Sequence, residues 1–298
     1  MRTIHLLPNL ITLANAFCGL LALAKAVDAL AYSGDDPGIF YEKMETACLL
    51  VFLGMLFDTL DGFAARVTRS ASQFGAQLDS YSDALTFGVT PALLAKVLIE
   101  HEAPLTGLEG NPRVHFLAAA AFALMAILRL VRFNLESDEE AADGEAGRTS
   151  KSPWFAGLPS PGAAGAVAGT IWFYLVMRRP ELETTEGTPT PFGSVLGFMN
   201  GVDWNSFLDF VPSLLVGMLP VLGLLMVSRV RYVHMGQLVL GGRSSFLTLV
   251  GFVFGSFAFF LAPVPALFVG FNLFVLWGPI EHLLRRGRGL GTGKQLRA

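Results

Sequence analysis

Charged residues are scarce in this chain. Asp, Glu, Lys and Arg make up 15% of its 298 residues, well below the roughly 25% that is typical of a soluble domain. Hydrophobic residues make up 53% of the chain, and the mean hydropathy is +0.54. This composition excludes an ordinary soluble globular domain and indicates a membrane protein.

Cysteine is also rare, since the chain contains only Cys18 and Cys48. Each lies inside an apolar run, so we expect two buried free thiols rather than a disulfide framework. The chain lacks a broad basic patch, and we therefore expect no nucleic-acid partner. No small-residue cleavage site follows the first apolar run, so a cleavable signal peptide is not expected.

Long apolar runs, by contrast, are abundant. Many are near 20 residues, about the length at which a helix crosses a bilayer. They are continuously apolar rather than alternating, which favours helices over the strands of a barrel. We predict an all-α fold, a polytopic helical membrane bundle of about eight transmembrane helices. The predicted spans are residues 5–30, 43–65, 82–100, 114–134, 155–177, 207–228, 245–262 and 264–284.

Lys and Arg are distributed unevenly between the two sides of this bundle. With both termini in the cytoplasm, fifteen of them fall on the cytoplasmic side and four on the other side. Cytoplasmic loops of membrane proteins carry an excess of these residues. We therefore predict an even number of spans and a polar, cytoplasmic C-terminal tail.

Four aspartates lie beside apolar spans in the segment 57–88, FDTLDGFAARVTRSASQFGAQLDSYSDALTFG: Asp58, Asp61, Asp79 and Asp83. The first two are three residues apart and the last two are four apart, so each pair shares a helix face. We expect the segment 62–78 to fold the chain back and to bring the pairs together at the cytoplasmic ends of spans two and three. Like charges so close are costly unless a cation compensates them. Carboxylate oxygens favour Mg²⁺ or Mn²⁺, with Ca²⁺ a competitor.

The alternative is that the aspartates are solvated carboxylates at helix ends, paired with Arg66 and Arg69. Four of them at paired helical spacings favour the metal site, because ionisable groups in membrane spans are rare without a role. Arg66 and Ser72 lie where they can reach a phosphate beside the metals.

Small residues lie between the two aspartate pairs. Gly62, Ala65 and Gly75 would let a ligand or a neighbouring helix approach closely. Ordinary helix packing in lipid remains the alternative for these positions, and both roles can hold together.

These residues resemble the signature of the CDP-alcohol phosphatidyltransferase family. The family pattern is D-x-x-D-G-x-x-A-R, eight residues, then G-x-x-x-D-x-x-x-D, and every fixed position is present between Asp58 and Asp83. Four further segments are similar to the small integral-membrane phosphatidylserine synthases within that family. They are LPNLITLANAFCGLLAL (7–23), TFGVTPA (86–92), RLVRFN (129–134) and FAGLPSPGAAG (155–165).

The resemblance implies a role for each aspartate. Asp58, Asp61 and Asp79 would be ligands of a two-metal site for Mg²⁺ or Mn²⁺. Asp83 would contribute to the second metal and act as the general base.

The resemblance also implies the substrate contacts. Residues that would bind CDP-diacylglycerol are Gly62, Ala65, Arg66, Ser72, Gly75, Asn9 and Thr12. For Asn9 and Thr12, polar contact between helices is an equally good interpretation. The serine carboxylate needs a cation, for which Arg129 and Arg132 are candidates, with Asn134 weaker. Anchoring at the membrane surface is the alternative for both arginines.

The family fold implies a core of six spans with two spans added at the C-terminal end. We expect residues 1–180 to form the catalytic core, 181–284 to hold the remaining spans of the same bundle, and 285–298 to form the cytoplasmic tail. The implied protein is a homodimer in a bacterial-type cytoplasmic membrane, with its active site facing the cytoplasm.

The implied reaction transfers a phosphatidyl group from CDP-diacylglycerol to the hydroxyl of L-serine, giving phosphatidylserine and CMP. One alternative is a sister transferase that uses glycerol 3-phosphate or inositol phosphate, but the RLVRFN and GLPSP segments argue against it. Another is a cation-coupled transporter. That alternative is disfavoured, because the aspartates lie at one membrane face and the chain has no internal repeat.

Overall fold

The computed structural model describes residues 6–32, 37–68, 72–106, 111–142, 154–178, 205–233, 255–257 and 259–292. Its principal helices are α1 (Leu6–Tyr32), α2 (Pro37–Thr68), α3 (Gln73–Asp83), α4 (Thr90–Thr106), α5 (Pro112–Ala142), α6 (Ser160–Arg178), α7 (Asn205–Val227) and α8 (Pro263–Thr292). A π-helical segment, Ala84–Val89, joins α3 to α4. Two short strands, β1 (Trp154–Ala156) and β2 (Arg231–Val233), complete the fold.

The helices form one bundle held together by small residues. Helix α1 packs along α2, α5 packs on α7, and α6 packs on α8. Ala22, Ala26 and Ala29 bury one face of α1. On α6, a Cβ atom added to Gly169 would lie 3.3 Å from the Cα of Phe268 on α8. Small side chains allow this close approach, which is how helices associate in lipid, where burying apolar surface gives little driving force.

The predicted helical membrane bundle is confirmed. The described residues contain seven helices that are long and apolar enough to cross a membrane. Large apolar side chains also remain outside the packed core, such as Leu117 and Val27, which are 67% and 66% exposed. That is the expected surface of a protein whose solvent is lipid. Most of the predicted span 245–262 lies outside the described residues. Cys18 and Cys48 are buried free thiols, as expected.

The predicted boundaries of spans two and three were wrong in a way that matters for the site. Helix α2 continues to Thr68, and α3 already begins at Gln73 rather than at residue 82. Most of the segment 62–78, which was predicted to fold the chain back, therefore belongs to α2 and α3. Hydropathy detects the part of a helix that crosses lipid, whereas these polar turns extend the same helices beyond it.

The strands are a feature that the all-α prediction did not include. β1 and β2 pair antiparallel, with Phe155 opposite Tyr232. Helix α6 therefore begins at Ser160 and not at residue 155. At the other end of the chain, α8 runs on to Thr292, past the predicted start of the tail at residue 285. Residues 283–286 are Leu and Arg, strong helix formers that carry the helix past residue 285.

Candidate functional site

The structure brings Asp58, Asp61 and Asp79 together from two helices. Asp58 and Asp61 lie one turn apart on α2, and Asp79 comes from the second turn of α3. One carboxylate oxygen from each lies within 4.8 Å of the other two. Asp61 is buried and the other two are half-buried. Three acidic groups this close would repel each other strongly without a compensating cation.

The triad fits a divalent cation. Asp61 Oδ2 and Asp79 Oδ1 are buried, and neither has a hydrogen-bond partner among the described residues. Buried polar atoms are normally paired, so two unpartnered oxygens in one acidic cluster require an explanation. Hard oxygen ligands arranged in this way suit Mg²⁺, Mn²⁺ or Ca²⁺.

Asp83 lies beside this triad rather than in it. Its Oδ1 accepts a hydrogen bond of 3.3 Å from Nδ2 of Asn15 on α1, and its carboxyl group lies near that of Asp58. Sequence reasoning did not assign Asn15 to the site. The signal was present, because an amide inside an apolar span is itself unusual. Asn15 is fully buried, so its position next to Asp83 is fixed.

Three hydroxyl side chains tie the third span to α1. Ser82 donates to the carbonyl of Thr12 over 3.1 Å, and Thr86 donates to that of Asn15 over 3.0 Å. The Thr90 hydroxyl lies 3.3 Å from the carbonyl of Gly19 and also near that of Leu85. This ladder sets the distance between the helix that carries Asp83 and the helix that carries Asn15.

The π-helical segment lies within this ladder and directly follows Asp83. Such segments widen the helix locally and are frequent at functional sites. Sequence reasoning did not predict it, because a π-helical turn differs from an α-helical turn by one residue and leaves the hydropathy pattern of an apolar span intact.

A cleft of about 180 Å³ opens next to the triad. It lies where α1 begins, α2 ends and α3 begins. Its lining is Pro8, Asn9, Thr12, Asp61, Gly62, Ala65, Ser72, Gly75, Ala76 and Asp79. All the residues predicted to bind the nucleotide lipid are in this set except Arg66, whose side chain lies outside the described part of the chain. A Cβ atom at Gly62 would meet nothing within 4 Å, so this residue leaves the cleft open.

Ser72 has a structural role that the sequence prediction missed. It is the N-cap of α3, and its Oγ accepts a hydrogen bond of 3.0 Å from the backbone N–H of Gly75. This bond satisfies one N–H of the first turn, as N-cap serines commonly do. The Ser72 hydroxyl proton stays available to a ligand in the cleft, so capping and the predicted phosphate contact are compatible.

The candidate serine-binding residues on α5 have different surroundings. Nη1 of Arg129 donates a hydrogen bond to Oγ of Ser160 over 2.8 Å. The Nε of Arg129 is buried and has no partner among the described residues. The guanidinium also interacts electrostatically with Asp83. Arg132 is half-buried and has partners of its own.

Asn134 contacts another helix of the bundle. Its Nδ2 donates to Oγ of Ser80 over 3.0 Å, which joins α5 to α3. Arg129 therefore combines a buried N–H donor that has no partner among the described residues with an electrostatic interaction with Asp83.

The chain is similar in sequence to a family model and to several known proteins. The family model described as CDP-alcohol phosphatidyltransferase matches residues 5–185. A Helicobacter pylori (strain 26695) protein named CDP-diacylglycerol–serine O-phosphatidyltransferase is 27% identical over 95% of this chain and 93% of its own length. A Bacillus subtilis protein of the same name is 33% identical over 52% of this chain and 69% of its own length. An archaetidylserine synthase of Methanothermobacter thermautotrophicus is 32% identical over 59% of this chain and 60% of its own.

Proposed function

The chain belongs to the CDP-alcohol phosphatidyltransferase family, and on that premise we propose that it transfers a phosphatidyl group from CDP-diacylglycerol to the hydroxyl of L-serine. The products are phosphatidylserine and CMP. The observation that carries this proposal is the likeness, over almost the whole of both chains, to a protein named for that reaction. The cleft beside three clustered carboxylates supports the same conclusion.

The aspartates would hold the metal ions of a Mg²⁺- or Mn²⁺-dependent site. Asp58, Asp61 and Asp79 are proposed ligands, and Asp83 contributes to a second ion. When bound, the cations neutralise the pyrophosphate of CDP-diacylglycerol and polarise the phosphorus that is attacked.

The side chains of the cleft would bind and orient the donor substrate. Gly62, Ala65 and Gly75 leave room for its head group, and Asn9 and Thr12 offer polar atoms to the nucleotide. Ser72 would donate its hydroxyl proton to a phosphate oxygen, and Arg66 is proposed to bind a phosphate.

Asp83 is the proposed general base. It would accept the hydroxyl proton of serine as the serine oxygen forms its bond to the phosphorus that carries diacylglycerol. The bond between that phosphorus and the CMP oxygen breaks, and CMP leaves with the bonding electrons. Asn15 holds one oxygen of the Asp83 carboxyl group, which fixes the direction in which the base can receive the proton.

Arg129 is the strongest candidate for the serine carboxylate, because its Nε has no partner among the described residues and its charge interacts with the proposed base. A guanidinium presents several N–H donors in a plane and suits a planar carboxylate. Arg132 and Asn134 remain weaker candidates.

We also propose which side of the membrane the site faces and how the protein assembles. The cleft faces the cytoplasm, which the excess of Lys and Arg at that end of the bundle supports. The protein is a homodimer in a bacterial-type cytoplasmic membrane, as the resemblance to the family implies; the mass of the purified complex would test this.

An acceptor screen tests the reaction itself. Purified protein with CDP-diacylglycerol and Mg²⁺ or Mn²⁺ should release CMP when L-serine is added, and much less with glycerol 3-phosphate or inositol phosphate. Release that depends on one of these alcohols, and not on serine, would instead identify a sister transferase.

A further inference from the structure

The connection between β1 and α6 is fixed by a segment from far along the chain. We call residues 225–233, the end of α7 together with β2, the strap. The backbone N–H of Gly157 donates to the carbonyl of Val230 over 2.8 Å, and that of Leu158 donates to the carbonyl of Leu225 over 3.0 Å. With the pairing of β1 and β2, these bonds hold every residue from 154 to 158 against the strap.

Gly157 makes this close contact possible. Its φ is +85°, a backbone conformation that residues with a side chain rarely adopt. A Cβ atom at this position would collide with the carbonyl oxygen of Met226 and would lie 3.2 Å from that of Ser228. The connection can therefore lie against the strap only with glycine here.

The strap is itself anchored in the bundle. The side chain of Tyr232 is fully buried and packs against Phe274 of α8. Its hydroxyl donates to the carbonyl of Val275 over 3.2 Å. Burial raises the pKa of Tyr232 to about 12, so this donor keeps its proton at neutral pH.

The connection between β1 and α6 also leads to the candidate active site, through Ser160. Ser160 follows Leu158 by two residues, is fully buried and accepts the hydrogen bond from Arg129. Arg129 in turn lies within electrostatic range of Asp83. A displacement of the connection would therefore move the only acceptor for Arg129 that the described residues show.

We propose that the strap and Ser160 are positioning elements for the acceptor substrate: they hold the Arg129 guanidinium where it meets the carboxylate of serine beside Asp83. The strap lies outside residues 5–185, the part of the chain that the family model matches. Binding of the acceptor would thus depend on residues that belong to the C-terminal half of the chain. The inference rests on the proposed role of Arg129 in serine binding.

The test compares the KM for serine with the KM for CDP-diacylglycerol in Ser160→Ala and Gly157→Ala. Each is expected to raise the KM for serine about tenfold, equivalent to about 1.4 kcal/mol, and to leave the KM for CDP-diacylglycerol within about twofold. Loss of stability alone would lower the amount of active protein and change neither KM.

Two matched controls separate positioning from general damage. Gly217→Ala, on α7, changes a glycine whose added Cβ would meet nothing within 4 Å. Tyr174→Phe removes a buried hydrogen bond from α6 to Glu102, at the end of α6 far from Ser160. Both should leave the two KM values unchanged.

The outcomes distinguish this inference from the proposed function. If Arg129→Gln raises the KM for serine but Ser160→Ala and Gly157→Ala do not, the positioning role is wrong and the role of Arg129 stands. If Arg129→Gln has no effect on that KM, the assignment of the serine carboxylate itself fails. Equal increases in both KM values in the strap variants would also overturn the inference.

Should Gly157→Ala fail to fold, Tyr232→Phe tests the far end of the strap. It keeps the ring against Phe274 and loses only the hydrogen bond to Val275. A rise of about threefold in the KM for serine is expected, because the loss in binding free energy should be smaller than the free energy of one hydrogen bond. No change in this variant and in Ser160→Ala would overturn the inference.

Discussion

At the scale of single residues, the site separates two kinds of carboxylate. Asp58, Asp61 and Asp79 converge on one point, and two of their buried oxygens have no partner among the described residues. Asp83 stands to one side, where Asn15 donates a hydrogen bond to it. This difference in surroundings suits metal binding for the triad and proton transfer for Asp83.

Asp83→Asn is expected to lower kcat by about 10²–10⁴-fold, the usual contribution of a general base. The amide has nearly the same shape as the carboxyl group, so binding of CDP-diacylglycerol should persist. Single-turnover CMP release and equilibrium binding of the donor would measure the two effects. Near-normal turnover would rule out Asp83 as the base.

Asp79→Asn tests the triad through stability rather than activity. Without metal, the variant should melt at a higher temperature than the parent protein, because one of three mutually repelling charges is gone. Added Mg²⁺ or Mn²⁺ should stabilise the parent by about 2.7 kcal/mol at one hundred times its Kd, and the variant much less. Equal melting temperatures with and without metal in the parent protein would contradict the metal site.

At the scale of secondary-structure elements, hydrogen bonds between helices fix the geometry of the site. The hydroxyls of Ser82, Thr86 and Thr90 recur every four residues and all reach carbonyl oxygens of α1. Gly19 allows α1 to come this close, since a Cβ atom there would lie 3.1 Å from the Cα of Thr86.

Thr86→Val should destabilise the protein by about 1 kcal/mol, because it keeps the shape and removes a buried donor. It should also lower kcat, since Thr86 bonds the carbonyl of Asn15, which orients Asp83. Thr46→Val is the matched control, because the Thr46 hydroxyl only bonds the preceding turn of its own helix at an exposed position. Thermal melting and steady-state kinetics would measure both; a Thr86 variant that behaves like the control would show that the ladder is unimportant.

The opposite end of the bundle has its own polar network. Glu102 on α4 is fully buried and accepts hydrogen bonds from Tyr41 of α2 and Tyr174 of α6. The ring of His101 also contacts Glu102 and stacks on Phe40, with 3.5 Å between ring centroids. A buried carboxylate is tolerated in this way only when several donors satisfy it.

Tyr174→Phe should cost roughly 1.5–3 kcal/mol of stability, the usual value for a hydrogen bond to a charged group. Because the network lies at the far end of α4 from the aspartates, kcat per folded molecule should be unchanged. Chemical or thermal unfolding in detergent would measure the stability, and CMP release would measure kcat. A large fall in kcat in fully folded protein would mean that the network also shapes the site.

At the scale of the whole molecule, the central question is which side of the membrane the cleft faces. The cleft lies at the end of the bundle where α1 begins and α2 ends. We propose that this end faces the cytoplasm, as the excess of Lys and Arg there predicts.

Labelling of single cysteines tests this orientation with little background, since the native thiols of Cys18 and Cys48 are buried. In intact cells, a membrane-impermeant maleimide should label Glu42→Cys, at the start of α2, and should label Gln77→Cys on α3 only after lysis. Both native side chains are exposed in the structure, so access depends on the membrane alone. The reverse labelling pattern would invert the topology.

The sequence by itself determined the helical membrane fold and the expectation that four aspartates would gather at one end of the bundle, three of which the structure brings together. These follow from local patterns, namely apolar runs of membrane-spanning length and aspartates at helical spacing, which act within a few turns of chain. Only the tertiary structure revealed three contacts: the hydrogen bond from Asn15 to Asp83, the hydrogen bond from Arg129 to Ser160, and the packing of the strap against Gly157. The first of these contacts joins residues 68 apart in the chain. No local pattern encodes such pairs, because they depend on how the helices pack rather than on which helices form.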